Sequence, residues 1–471
     1  MTIHSITTIS ILTFTIFFSI SPLTISQSKI DSLELIKYTN VAEQFVSSAL
    51  SERKGYEMLR NLCRIGPRLS GSKNSFIAIN WAKNKMKELG FDSVWLQPVA
   101  VPHWVRGNIE EAILLDSDDK PIRRLNILAL GGSIGTASNG ITANVIEVRS
   151  FEELNKRRDE VDGKIVFFSR PIDQSVFYTF TGYSNAADQR VYGAIEAAKY
   201  GGVGAIVRSL TTKYDNVPHT GSMSYVDSLP KVSVASIGYL DADFLSEAIK
   251  GNPNTKIKLT LDCRTQPNVQ SYNVVGEIKG KEYPDEIILV GGHIDSWDVG
   301  DGAHDDGAGC VQSIEALDLF KRLNINPKRT LRTVLFINEE TGLTSANEYA
   351  TFADSSKQTH IAAIESDRGA FTPLGFSVDT DSTELIEMLN SWLPILKKAG
   401  IGWIRKGGSG ADISQIKNIQ LPMGYVPDGQ RYFDLHHSPN DVFEEVHPRE
   451  FELGSAAIAI MVYLISEEGI K

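Results

Sequence analysis

Three apolar runs in the second half of the chain lead into a histidine or an acid. Ile287-Ile-Leu-Val-Gly-Gly292 runs into His293, Leu331 to Ile337 into Glu339-Glu340, and Ile361 to Ile364 into Glu365-Ser366-Asp367. Short, largely apolar runs of this length fit strands buried on both faces. They alternate with helical patterns at Val311 to Leu323, Ser345 to Phe352, Thr383 to Lys398 and Phe451 to Ile465. That alternation predicts an α/β fold, a sheet flanked by helices. In open α/β sheets ligands bind at the carboxyl ends of the strands. Acids and a histidine at successive strand exits therefore read as a metal centre.

The residues between these runs extend the set. Gly292-His-Ile-Asp-Ser-Trp-Asp298 continues to Gly302-Ala-His-Asp-Asp-Gly-Ala-Gly309, and Phe433-Asp-Leu-His-His-Ser438 lies near the C-terminal end. His293 offers a ring nitrogen to a metal. Asp295, two residues on, falls on the same side of an extended chain and can fix the imidazole tautomer. Asp305, before the helix that starts near Val311, can bridge two cations with its two oxygens. In Glu339-Glu340 adjacent side chains diverge, so one carboxylate can ligate a metal while its neighbour serves as general base. Asp367 and one of His436 and His437 complete the ligand types; the other histidine is free to support its neighbour or to meet substrate. Nitrogen and oxygen ligands without a thiolate suit catalytic zinc better than a structural zinc site.

Upstream, Ile30 to Leu62 carries a helical stripe, and Ala78 to Leu89 forms another helix stopped by Gly90. From about Trp104 the pattern changes to short strands: Ala112 to Leu115, Ile141 to Ile146, Lys164 to Phe168, Val203 to Val207 and Lys256 to Leu261. This stretch holds no dense cluster of His, Asp and Glu after strands, and reads as a separate lobe over residues 106–266, inserted into a domain formed by 27–105 and 267–471. Residues 1–26, with an apolar stretch from Ile11 to Ile20 closed by Pro22, fit a secretory signal peptide cut before Gln27, although His4 stands where a Lys or Arg is usual. No other stretch is apolar enough to cross a bilayer.

The formal net charge of −11 and the lack of a long basic cluster argue against nucleic-acid binding. Cys63, Cys263 and Cys310 allow at most one internal disulfide, and no Asn-x-Ser/Thr sequon is present.

Together the motifs resemble the M28 family of co-catalytic di-zinc peptidases. The resemblance runs through Gly66-Pro-Arg-Leu-Ser-Gly-Ser72, Val101-Pro-His-Trp-Val-Arg106, Gly291 to Gly300, Lys328-Arg-Thr-Leu-Arg332, Glu365-Ser-Asp367 and His436-His-Ser438. It implies two Zn2+ per subunit: one on His293 and Asp367, the other on Glu340 and His437, with Asp305 bridging. It puts Glu339 at the general acid/base position and Asp295 at the position that orients the histidine. It further implies that the inserted lobe is protease-associated (PA-like), that the enzyme is a homodimer, and that it hydrolyses dipeptides or short peptides with free termini in a secreted or lysosomal setting. Gly407-Gly-Ser-Gly-Ala-Asp412 and Asp428 to Asp434 are expected to cap the cleft. Two departures stand out: His304 precedes the bridging Asp305 where a neutral residue is usual, which can perturb metal affinity or pH response, and the chain lacks the sequons of glycosylated relatives. The competing expectations are an aminopeptidase of the same fold, a glutaminyl-cyclase-type transferase, which would generally lack such an inserted lobe, and a receptor-like homologue without catalysis, which would have lost metal ligands.

Overall fold

The computed structural model describes residues 32–470 apart from 117 and 357; residues 1–26, expected to be a signal peptide, lie outside them. Two eight-stranded sheets organise the chain. The first runs in the order Ser93–Val105, Arg264–Ile278, Arg329–Phe336, Tyr283–His293, Thr359–Glu365, Leu421–Pro427, Pro373–Val378, Trp403–Lys406. Its four central strands, from Arg329–Phe336 to Leu421–Pro427, are mutually parallel, with antiparallel pairings on both sides. The fold is thus the α/β arrangement that the apolar runs predict, built on a mixed sheet.

Side-chain alternation sorts the central strands between two cores. Ile288, Val290, Leu331, Leu335, Ala362 and Ile364 face the helices Ser32–Glu52, Lys54–Cys63, Ala308–Arg322 and Pro448–Glu468. Leu289, Val334, Phe336 and Ala363 face the helix Thr344–Ser355 through Ala346, Tyr349 and Ala350. Because both faces are covered, these strands carry no polar alternation.

The predicted helix from Ile30 to Leu62 is two helices. They break at Arg53, which takes a left-handed φ of 54° that the apolar stripe gave no sign of. The predicted helix from Thr383 to Lys398 likewise splits, into Thr383–Asn390 and a short turn Leu393–Leu396 that has Pro394 in its first turn.

The second sheet is built wholly from strands between Glu110 and Leu261. Its two faces pack separate cores, one around Phe167 and Leu259, the other around Phe168 and Ala197. The antiparallel partners Ser93–Val105 and Arg264–Ile278 carry the chain into and out of this region, with Trp104 paired to Thr265. Trp297, from the segment after His293, inserts its ring into the second sheet's core, where Gly131 leaves no room for a Cβ beside it. All three cysteines are buried free thiols.

Candidate metal centre

The parallel register brings the strand exits to one edge. His293 pairs with Phe336, so Glu339 and Glu340 leave beside it; Gly291 pairs with Glu365, which puts Asp367 on the other side. Asp305 comes from the irregular turn Ala303–Gly307 that enters the helix Ala308–Arg322. His437 arrives from the far end of the sequence with a left-handed φ of 60°.

Asp305 lies between the two histidines. Its Oδ1 is 3.3 Å from His293 Nε2, and its Oδ2 is 3.2 Å from His437 Nε2. His293 Nε2 is 3.5 Å from Asp367 Oδ1, and His437 Nε2 is 3.1 Å from Glu340 Oε2. The structure thus gathers all five predicted ligand-type residues. Ligand atoms fall within 4.8 Å of one another in three trios: His293, Asp305 and Glu340; Asp305, His436 and His437; His293, Asp306 and Asp367. Despite these approaches, His293 Nε2, Asp305 Oδ2 and Glu340 Oε1 are buried without an aligned hydrogen bond. Lone pairs that converge without satisfying one another are the donor set a divalent cation needs.

The electrostatics follow from acids crowded into a buried site. Burial pushes Glu339 well above the usual carboxylate range, and Asp367, Glu340 and Asp305 add to the rise. Burial and the charge of Asp305 bring Glu340 to about 7. For the histidines burial acts downward, but the surrounding carboxylates outweigh it: His293 is held well above its ordinary range and His437 at about 10.

Asp295 reaches the imidazole differently from expectation. The strand ends at His293, and the turn that follows puts the backbone carbonyl of Asp295, not its carboxylate, in hydrogen-bond contact with His293 Nδ1 at 3.0 Å. The carboxylate Oδ1 is 3.6 Å from Nδ1 and accepts the backbone N–H groups of Asn338 (2.8 Å) and Glu339 (3.2 Å). It therefore ties the His293 exit to the Glu339-Glu340 exit.

His304 turns away from the ligand set. Its Nδ1 accepts the Ala370 N–H at 3.1 Å, its ring stacks on Phe371, and burial pushes it down to about 4. His436 stacks on His437 with ring centroids 3.4 Å apart. The loop Asp428 to Asp434 forms a short 3-10 helix, Gly429–Asp434, and Tyr432 and Phe433 stack with Phe180 and Tyr183 of the second sheet's region. The result is a cleft of about 200 Å³ whose walls include Glu339, Asp367, Tyr432, Phe180, Tyr183 and Arg190. Just past the other loop, Gly407 to Asp412, Ile413 N donates to Glu365 at 2.8 Å.

Several participants lie outside the expected set. Asp306 accepts His293 N–H (3.0 Å) and Gly309 N–H (2.9 Å), pinning the strand exit to the helix start. Asp441 accepts the N–H groups of His304 and Asp305 at 2.8 and 3.1 Å. Arg190 brings a guanidinium nitrogen 3.4 Å from His437 Nδ1, and its Nε is buried without a partner. Asp306 was findable as the neighbour of Asp305; Arg190, 247 positions from His437, was not.

Comparison with known proteins decides the family. The profile of Peptidase family M28 matches residues 273–461. Carboxypeptidase Q of Bos taurus is 36% identical over 439 residues, covering 92% of this chain and 90% of that protein. The chain belongs to peptidase family M28. Carboxypeptidase Q of Xenopus laevis is 37% identical over 449 residues, covering 94% and 93%. Among solved structures, a peptidase M28 precursor from Shewanella amazonensis SB2B superposes with a TM-score of 0.87 at 33% identity, over 93% of this chain and 98% of that one. An aminopeptidase from Aneurinibacillus sp. strain AM-1, 18% identical with a TM-score of 0.63 over 90% and 96%, shares the fold. As a member of this family the chain is a metallo-exopeptidase. Among the described residues no helix is long and apolar enough to cross a membrane.

Proposed function

We propose that this M28 enzyme is a two-zinc exopeptidase that hydrolyses dipeptides or short peptides with free termini. The observation that supports it most is the placement of Asp305, one oxygen toward each of the two histidines, with Glu339 lining the same cleft. His293 and Asp367 would hold one ion, Glu340 and His437 the other, and Asp305 would serve both. The chemistry supplied by two bound ions is Lewis acidity, which polarises a scissile carbonyl and acidifies a water.

The chain's own groups do the rest. Glu339, whose carboxylate lines the same cleft, takes the proton of the attacking water and delivers it to the leaving amine. Asp295 keeps Glu339 in place through the backbone N–H it accepts. Arg190 presents a guanidinium to the cleft beside His437, a partner of the right charge and shape for the substrate's terminal carboxylate. The small cleft volume favours short substrates over folded chains. We read the region 106–266, which carries its own sheet, as the PA-like lobe that roofs this cleft, and the enzyme as a homodimer of the secretory pathway, secreted or lysosomal.

A panel of dipeptides with free, acetylated and amidated ends, assayed with and without a chelator, tests the reading. Hydrolysis that stops with the chelator, returns with zinc and requires both free ends is expected. Cleavage that tolerates a blocked C-terminus would favour an aminopeptidase, and ring closure of an N-terminal glutamine peptide a cyclase.

A further inference from the structure

The two halves of the ligand set are supported in different ways. His293, Glu340 and Asp367 leave strands or strand exits of the first sheet, whose register places them. His437 sits in an irregular segment, in a left-handed backbone conformation that a residue with a Cβ adopts only when its surroundings impose it. On one side, that segment meets the second sheet's region. Thr220 N donates to the His437 carbonyl at 2.9 Å, and His219 Nδ1 meets the His436 carbonyl at 2.7 Å. A carbonyl only accepts, so Nδ1 carries the proton. The strap behind these contacts is itself anchored. His219 N donates to Ser209 Oγ at 2.8 Å, and that hydroxyl donates to the Ile237 carbonyl at 2.8 Å. Thr220 Oγ1 donates to the Ala129 carbonyl at 2.8 Å and meets Arg106, which is paired with Asp298.

We infer that His219 is a positioning residue for the metal centre: from the second sheet's region it holds the His436-His437 backbone, so that binding of the ion on the Glu340–His437 side depends on that region while the ion on the His293–Asp367 side does not. This rests on the two-zinc reading above. It gives the second region a task in metal binding as well as in roofing the cleft. It also predicts that the two sites differ in which substitutions weaken them.

The test is zinc content by mass spectrometry and competition with a chromogenic chelator, on the full-length enzyme and on His219→Leu and His219→Asn. Leucine fills similar space without a donor, whereas the asparagine amide nitrogen sits on Cγ as Nδ1 does. His219→Leu is expected to bind one zinc within threefold of the unsubstituted enzyme and the other at least tenfold more weakly, and His219→Asn to restore the second. Should His219→Leu not fold, Ser209→Ala carries the test, with a smaller but selective weakening of the same zinc. Equal retention of both ions, parallel loss of both, or failure of asparagine to restore the second would each overturn the inference. An unsubstituted enzyme that holds fewer than two zinc ions would take down the two-zinc reading and this inference together. Two ions with variants indistinguishable from it would take down this inference alone.

Discussion

Replacing Arg190 separates substrate recognition from metal chemistry. The guanidinium is buried, 3.4 Å from His437 Nδ1 and with its Cζ 5.4 Å from the centroid of Tyr183, and Nε has no hydrogen-bond partner. A substrate carboxylate meeting it would gain charge-assisted hydrogen bonds. A hydrogen bond to a charged group contributes about 1.5–3 kcal/mol. At about 1.36 kcal/mol per decade, Arg190→Met should lower kcat/KM for a free-carboxylate dipeptide by roughly 10- to 150-fold. For the same dipeptide amidated at its C-terminus, where the partner charge is gone, the loss should stay below about threefold if the guanidinium acts only on that group. Arg190→Lys, which keeps the charge and loses the planar fork, should fall between. The assay is steady-state hydrolysis of the paired substrates, with zinc content measured on each variant. Equal losses on both substrates would refute the carboxylate role, because they would show Arg190 acting through its contact with His437 instead.

Other consequences can be checked as directly. Glu339→Gln should keep its zinc and lose roughly 10²–10⁴-fold in kcat, the range of a general base; full activity with zinc bound would remove Glu339 from proton transfer. His360 is buried with Nε2 3.0 Å from the Tyr349 hydroxyl, and burial followed by the charge of Arg332 holds it at about 4, below the ordinary 6.5. The unfolded chain therefore takes up this proton first as pH falls, so the stability His360 contributes above pH 6.5 is lost between about 6.5 and 4. His360→Gln should flatten the slope of unfolding free energy against pH in that window by up to about 1.4 kcal/mol per pH unit; urea titrations at pH 6.5 and 5 that show the original slope would contradict this. Gly292→Ala would drive a methyl group into Asp306 Oδ2 and to 3.0 Å from Cys310 N, at a cost of about 1–3 kcal/mol from overpacking. Gly408→Ala, with nothing within 4 Å of the added carbon, is the control, and equal melting temperatures for the two would refute the steric account.

The uneven legibility of this enzyme has a physical cause that bears on how its centre is assembled. The exits at His293, Glu340 and Asp367 were readable because a parallel strand covered on both faces is predominantly apolar, so acids and a histidine gathered just after such runs mark where the strands end. Asp305 was readable from its neighbours for a related reason, since it stands just before a helix with a clear apolar pattern. The helix break at Arg53 was not, because the residue that takes the left-handed conformation is neither glycine nor proline, and the nearby Gly55 lies inside the second helix. Nor was the role of the Asp295 carbonyl, since spacing gives the side a residue faces but not where a strand stops. Arg190, His219 and Asp441 escaped for a deeper reason: each acts through a contact whose partner is more than a hundred positions away. The His293 side of the centre rests on local sequence pattern. The His437 side, with its left-handed backbone, is held by carbonyl contacts from the second sheet's region. A disturbance of docking between the two regions should thus reach the His437 side first, while the strand-borne residues of the candidate centre stay in register.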